Sequence, residues 1–274
     1  MTTIIDTLRH GRLHASDFAR VFSGTVAKLA LQFILFFVLA NTLAIADFGV
    51  FATVTSISLI ASRATAFGLP SLALSAAASR PTSLGPTLAS TALWFVVSAP
   101  LLMGLAALIH TLMFAERLPL GWFLLLMAAD VFAWRALETV AIVNEGQRRF
   151  TVAAAWVVLG IALKVAAALV LMLSDYHDLI HFIPLYASAT TAAAVLALVF
   201  GLPKLRYRLK LRLAIAQAKR GLLLTGSNVI FFAQNELDKT LVFLLAGDKM
   251  AGFYAISMRV VDLTAAPIRA FNQL

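Results

Sequence analysis

Apolar residues along this chain fall in long runs, separated by short polar stretches. Eight runs approach or exceed the roughly 20 residues that a membrane-crossing α-helix needs. They are Val21–Thr42, Gly49–Pro70, Leu84–His110, Pro119–Val143, Thr151–Leu173, Ile180–Leu202, Gly221–Ala246 and Gly252–Leu274. The runs are rich in Ala, Leu, Val and Phe and lack the period-two alternation of outer-membrane strands, so each predicts a helix. Connections are short and carry Pro, Gly, Asp or Arg. Pro100, Pro184 and Pro267 fall inside runs and predict kinks, where neighbouring helices re-satisfy the backbone. The run ahead of Ala44-Ile45-Ala46 is longer than the core of a signal peptide, so it is expected to stay as a span.

Composition sharpens this picture. The 274 residues are 61% apolar and 13% charged, with no cysteine. Soluble domains run about 45–50% apolar and about 25% charged. A mean hydropathy of +0.92 leaves too little polar surface to cover a core of this size in water. A soluble globular domain, a disordered chain and a disulfide scaffold are excluded, and thiol chemistry with them. An all-α polytopic membrane protein of about eight spans is expected. The net charge of +9 then matters through its sidedness. One alternating set of loops holds 13 basic residues and the other holds Arg117 and Lys249 only. Under the positive-inside rule both termini are cytoplasmic. The densest segment, Pro203–Arg220, has seven basic residues and no acid. Leu205, Leu209, Leu213 and Ala216 recur there at helical spacing. The segment reads either as an amphipathic helix on anionic lipid or as a solvated topogenic loop. No recognition module surrounds it, so nucleic acid is not an expected partner.

The chain also repeats itself. Asp47-Phe48-Gly49-Val50-Phe51-Ala52 opens the second run, and Met250-Ala251-Gly252-Phe253-Tyr254-Ala255 opens the eighth. The glycines are offset by 203 residues. Ser23-Gly24 and Gly226-Ser227 precede them at similar distances. Both copies start on the same side, so the repeat is parallel. Six helices (21–202) then form one lobe after an N-terminal segment (1–20), the basic linker (203–220) follows, and 221–274 supplies the first two helices of a second lobe.

Three elements resemble the polysaccharide-exporter branch of the multidrug/oligosaccharidyl-lipid/polysaccharide (MOP) transporter superfamily. The first is Ser23-Gly24, then Asp47–Ala52, then Phe67-Gly68-Leu69-Pro70. The second is the polar hinge Asn144-Glu145-Gly146-Gln147-Arg148-Arg149-Phe150. The third is the basic linker followed by Asn228, Asp238-Lys239, Gly252-Phe253-Tyr254-Ala255 and Arg259-Val260-Val261-Asp262. The resemblance implies a multi-pass protein of the bacterial inner membrane that flips lipid-linked oligosaccharide between two lobes around a central cavity. Members have 12 or 14 helices. Eight helices imply an incomplete second lobe, or a second copy or partner that completes it.

Ionisable groups at membrane depth are costly and usually face a bundle interior or wet cavity. Lys28, Gln32, Arg63, Lys164, Asn228, Asn235, Lys239 and Arg259 are candidates to line a cavity for an anionic diphosphate head group. Asp130, Glu138, Glu236, Asp238 and Asp262 are candidates to balance those charges or bind a coupling ion. Arg135/Glu138 and Arg259/Asp262 are spaced i, i+3 and suit structural pairing. Asp47 suits an interfacial cap. His177 and His181, with Asp175 and Asp178, read as a solvated loop rather than a metal site. No catalytic residue, metal or cofactor is expected, and no phosphate-loop spacing occurs. Energy is expected from a Na+ or H+ gradient, the membrane potential or substrate flux. The competing readings are a membrane enzyme acting on polyprenyl-phosphate sugars, a non-transporting subunit, and export of drugs or lipid precursors.

Overall fold

The computed structural model describes residues 23–79 and 81–272, with side chains described at all of these except 81, 260 and 262–272. Among the described residues there are helices and no strands. Among the described residues, seven helices are long and apolar enough to cross a membrane. We label them α1 (Ser23–Thr42), α2 (Ile45–Ser79), α3 (Thr82–Met113), α4 (Leu120–Gly146), α5 (Phe150–Leu173) and α6 (Leu179–Gly201), with α7 running over Leu211–Asn272. The protein is a helical, multi-pass membrane protein. Helices satisfy every backbone group internally, which hydrocarbon demands of such apolar segments.

Three places bear on the expected elements. The seventh and eighth predicted spans correspond to the two arms of α7, which meet across a kink at Gly247 (φ 85°, ψ 179°). The Tyr254 hydroxyl donates to Asp238 at 2.8 Å across 16 positions, whereas a straight helix would separate them by roughly 24 Å. The chain therefore folds back at Gly247, whose positive φ a residue with a Cβ rarely adopts. Second, the linker is helical only from Leu211, and 203–210 run as irregular chain along the start of α3. There the Arg206 carbonyl abuts Gly85, and the Gln217 amide donates to Thr87 Oγ1 at 2.9 Å. Third, Pro100 and Pro184 lie inside continuous helices, and further departures from α-geometry lie at Thr65–Gly68 in α2 and in π-helical turns at Ala129–Trp134 and Ala197–Gly201. Pro267 has no described side chain. In α2, Ala66 and Phe67 both take positive φ, at roughly 1–2 kcal/mol each. Neighbouring helices hold this break: Ser98 accepts from the Ala66 amide, and Thr65 Oγ1 donates to the Val131 carbonyl at 3.1 Å.

The largest core cluster draws on every labelled helix. Phe48, Phe51, Phe114, Phe123 and Phe182 are fully buried in it. Outward positions such as Val96, Leu101, Leu173, Phe200 and Leu223 remain exposed, as lipid-facing positions do.

Loops gather at two ends. At one end, Asp47 accepts from the Leu179 amide, capping α6 rather than its own helix, and Arg117 pairs with Asp248. At the other, Gly146 packs on Leu74 and Ala77, and Gly85 on the linker. The first end carries the acidic loops and the second the basic ones, following the alternation of charge in the sequence. The two glycines of the repeat meet near the acidic end. A Cβ on Gly49 would overlap the Asp248 carbonyl, and one on Gly252 the Ile45 carbonyl. The same offset of 203 relates Ile45 to Asp248 and Gly49 to Gly252, so this contact is reciprocal.

Candidate functional site

A polar cavity of about 140 Å³ lies at mid-length of α1, α2, α4 and α5, closed on one side by α6 and on another by the two arms of α7. Its polar lining includes Gln32, Thr55, Ser56, Ser62, Asp130, Lys164, Tyr186, Glu236 and Arg259. Aromatic walls come from Phe36, Phe51 and Trp134. Five sequence-predicted residues thus converge here from four helices: Gln32, Asp130, Lys164, Glu236 and Arg259.

Their pairing is specific. Lys164 Nζ donates to Asp130 Oδ1 at 3.0 Å and to the Tyr186 hydroxyl at 2.7 Å. Tyr186 in turn donates to the same Asp130 oxygen at 2.8 Å. All three residues are buried, and the ammonium sits 4.1 Å from the Trp134 ring centroid. Asp130 and Trp134, four positions apart within the π-turn at Ala129–Trp134, both reach the cavity wall. Lys164, expected at the cavity, lines it while held in this three-residue network.

Behind Trp134 lies a second network. Glu138 receives Arg63 at 3.1 Å, Arg135 at 2.9 Å and the Trp134 indole N–H at 3.2 Å. One carboxylate serves two guanidinium groups, and the Nε atoms of both arginines are buried without a hydrogen-bond partner. Arg63 also stacks 4.1 Å over Phe232 of α7. Arg63 and Glu138 therefore sit beside the cavity lining rather than in it. On α7, Lys239 pairs with Glu236 at 2.7 Å, and Asp238 is bound by Tyr254. Arg259 lies 3.8 Å over the Phe36 ring. The Arg259/Asp262 pairing expected from spacing involves a side chain outside the described residues.

Other expected residues lie elsewhere. Lys28 is exposed and lines a separate cavity of about 400 Å³ with Glu145 at the basic end. Asn235 is exposed and its amide returns to the Phe231 carbonyl. Asn228 is half-buried further along α7. His181 stacks on Tyr176 and contacts Asp178 at 2.6 Å. Among the described residues no three His, Cys, Asp or Glu side chains group as metal ligands. Asp178 is held below the usual carboxylate range, chiefly by the His181 backbone N–H that it accepts as the α6 cap.

Sequence reasoning missed Tyr186 and Trp134. A signal existed for Tyr186: a tyrosine deep in an Ala-rich span needs a partner for its hydroxyl. Comparison with family models, curated proteins and solved structures finds no match to this chain.

Proposed function

We propose that this protein moves an anionic, lipid-linked oligosaccharide across the membrane by alternating access. The polar cavity is the transit site, and the Arg63–Glu138–Arg135 group is the source of its attraction for a diphosphate head group. The observation that carries the reading is the two-to-one ratio of guanidinium groups to carboxylate beside a mid-depth cavity. Each charge at such depth costs about 2.5–3.5 kcal/mol on insertion scales. Well-packed apolar residues would hold the helices together at lower cost. Two guanidinium groups sharing one carboxylate in a low-dielectric wall are therefore better explained by an anion that visits them.

The reciprocal contact of Gly49 and Gly252 supports the second part of the reading. It is what a parallel repeat generates about a two-fold axis along the membrane normal. In this reading the hairpin at Gly247 joins two spans, giving eight, and the second arm of α7 opens a second lobe. Both termini and the basic linker face the cytoplasm of a bacterial inner membrane, and rocking of the lobes exposes the cavity to each side. A proton or sodium gradient acting at the Asp130 network supplies the drive.

The test is complementation in a strain whose surface polysaccharide depends on this protein. Arg63→Ala and Arg259→Ala, each at normal membrane level, are expected to lower export at least about tenfold, the cost of one charge-assisted contact. Full export by both variants removes the cavity from the mechanism.

A further inference from the structure

A second recess lies on the other face of α4, away from the polar cavity. Two apolar volumes, about 430 Å³ and about 410 Å³, share Phe95, Ala136 and Leu198 and so form one continuous groove between α3 and α6. Its floor is a stripe of small residues on α4, including Ala128, Ala129, Ala133 and Ala136, which leave a trough that no side chain fills. From Val140 to Leu125 the trough runs roughly 22 Å at helical rise. That exceeds the roughly 15 Å of one leaflet's hydrocarbon.

Three of the four hydroxyls in its wall, those other than Thr191, are already spent. Thr91 Oγ1 donates to the Thr87 carbonyl at 2.9 Å, Thr139 Oγ1 to the Arg135 carbonyl at 2.8 Å, and the Tyr207 hydroxyl to the Pro203 carbonyl at 3.1 Å. The groove thus presents methyl and ring surface along this stretch. Its upper end is formed by Leu202 and Tyr207 of the irregular linker segment. Lys204, Arg206, Arg208 and Lys210 flank Tyr207 there, all exposed, and 203–220 contain no acid. An apolar trough of acyl-chain length that ends under four cations is complementary to one kind of molecule.

We infer that the groove between α3 and α6 is a binding site for an anionic phospholipid. One acyl chain lies on the alanine floor, and the phosphate is held by the basic residues of 203–210. The site is distinct from the polar cavity and does not depend on the transport reading. Because the linker also packs against Gly85 and Thr87 of α3, a bound lipid ties that segment to the bundle.

Native mass spectrometry of the full chain, offered equal amounts of phosphatidylglycerol and phosphatidylcholine, tests this. The wild type is expected to retain phosphatidylglycerol over phosphatidylcholine by at least about tenfold, the scale of one or two phosphate contacts. Exchanging all four cations for glutamine (K204Q, R206Q, R208Q, K210Q) is expected to bring the ratio close to one. These side chains are exposed, so that variant keeps the test decisive if a groove-filling variant fails to fold. Ala136→Phe, or the milder Ala136→Leu, is expected to lose retention of both lipids at an unchanged melting temperature. Equal retention of the two lipids by the wild type overturns the inference. So does wild-type retention of phosphatidylglycerol by folded Ala136 variants, or an unchanged ratio after charge removal.

Discussion

At the scale of single residues, the chemistry of this bundle is concentrated in a few shared acceptors. Asp130 Oδ1 receives both Lys164 and Tyr186. Removing one partner of a buried ion pair leaves the other charge uncompensated, which costs about 3–5 kcal/mol. Lys164→Met should therefore destabilise the protein strongly in detergent unfolding. The double change Asp130→Asn with Lys164→Met should cost clearly less than the two single changes added together. Tyr186→Phe removes one hydroxyl from the same network and should cost about 1–3 kcal/mol. At the acidic end, Asp178→Ala removes the α6 cap, worth about 1 kcal/mol. The His181 backbone N–H holds this carboxyl below the usual carboxylate range in the folded state. Its contribution is therefore complete above the unfolded value and is lost as pH falls through the lower, folded one. An acid titration of the melting temperature, compared between wild type and Asp178→Ala, checks this.

At the scale of elements, hydropathy alone placed the first six spans, because hydrocarbon leaves an apolar segment no alternative to a helix. The breaks were less legible. Pro100 and Pro184 lie inside continuous helices, and the marked interruptions fall where no proline announced them. The left-handed backbone at Ala66 and Phe67 carries no sequence mark beyond the adjoining Gly68, since it is imposed by Ser98 and Val131 of other helices. The amphipathic pattern of 203–220 misled at its first half. Leu205 is drawn into packing on the small cluster of Leu84 and Leu88, so the spacing there reflects tertiary contacts instead of a helix. For the site, polar and ionisable residues in apolar runs were the legible signal, and they led to Gln32, Asp130, Lys164, Glu236 and Arg259. Which charges pair across helices, and that Lys28 lies off the cavity, depend on register between spans, and no periodicity within one span encodes that. The element most sensitive to substitution is the hairpin at Gly247. Gly49→Val and Gly252→Val each place side-chain atoms where a backbone carbonyl sits. Each should separate α2 from the second arm of α7 and lower stability by at least about 2 kcal/mol. A cysteine pair introduced at the exposed positions Ala44 and Met250 would report the separation as slower cross-linking.

For the whole molecule, the charge pattern and the cavity belong to one arrangement. Basic loops gather at one end and acidic loops at the other, while buried ion networks lie between them at mid-depth. The Arg117–Asp248 pair joins the α3–α4 loop to the α7 hairpin across the acidic end. Arg117 is half exposed, so the pair is worth no more than about 1 kcal/mol. In the transport reading, a contact of that strength can open and close within a cycle. Arg117→Glu should leave folding nearly unchanged and should make the end of the cavity near Asp248 more accessible to aqueous cysteine reagents. The central claim is that the chain itself carries lipid-linked, negatively charged sugar across a bilayer. It is tested most directly by reconstituting the purified protein into vesicles with a fluorescent polyprenyl-diphosphate oligosaccharide. A membrane-impermeant quencher then reads how much label changes leaflet. The account predicts transfer well above protein-free vesicles and its loss in Arg63→Ala at equal reconstitution. Transfer no faster than in protein-free vesicles, or equal in wild type and Arg63→Ala, would contradict it.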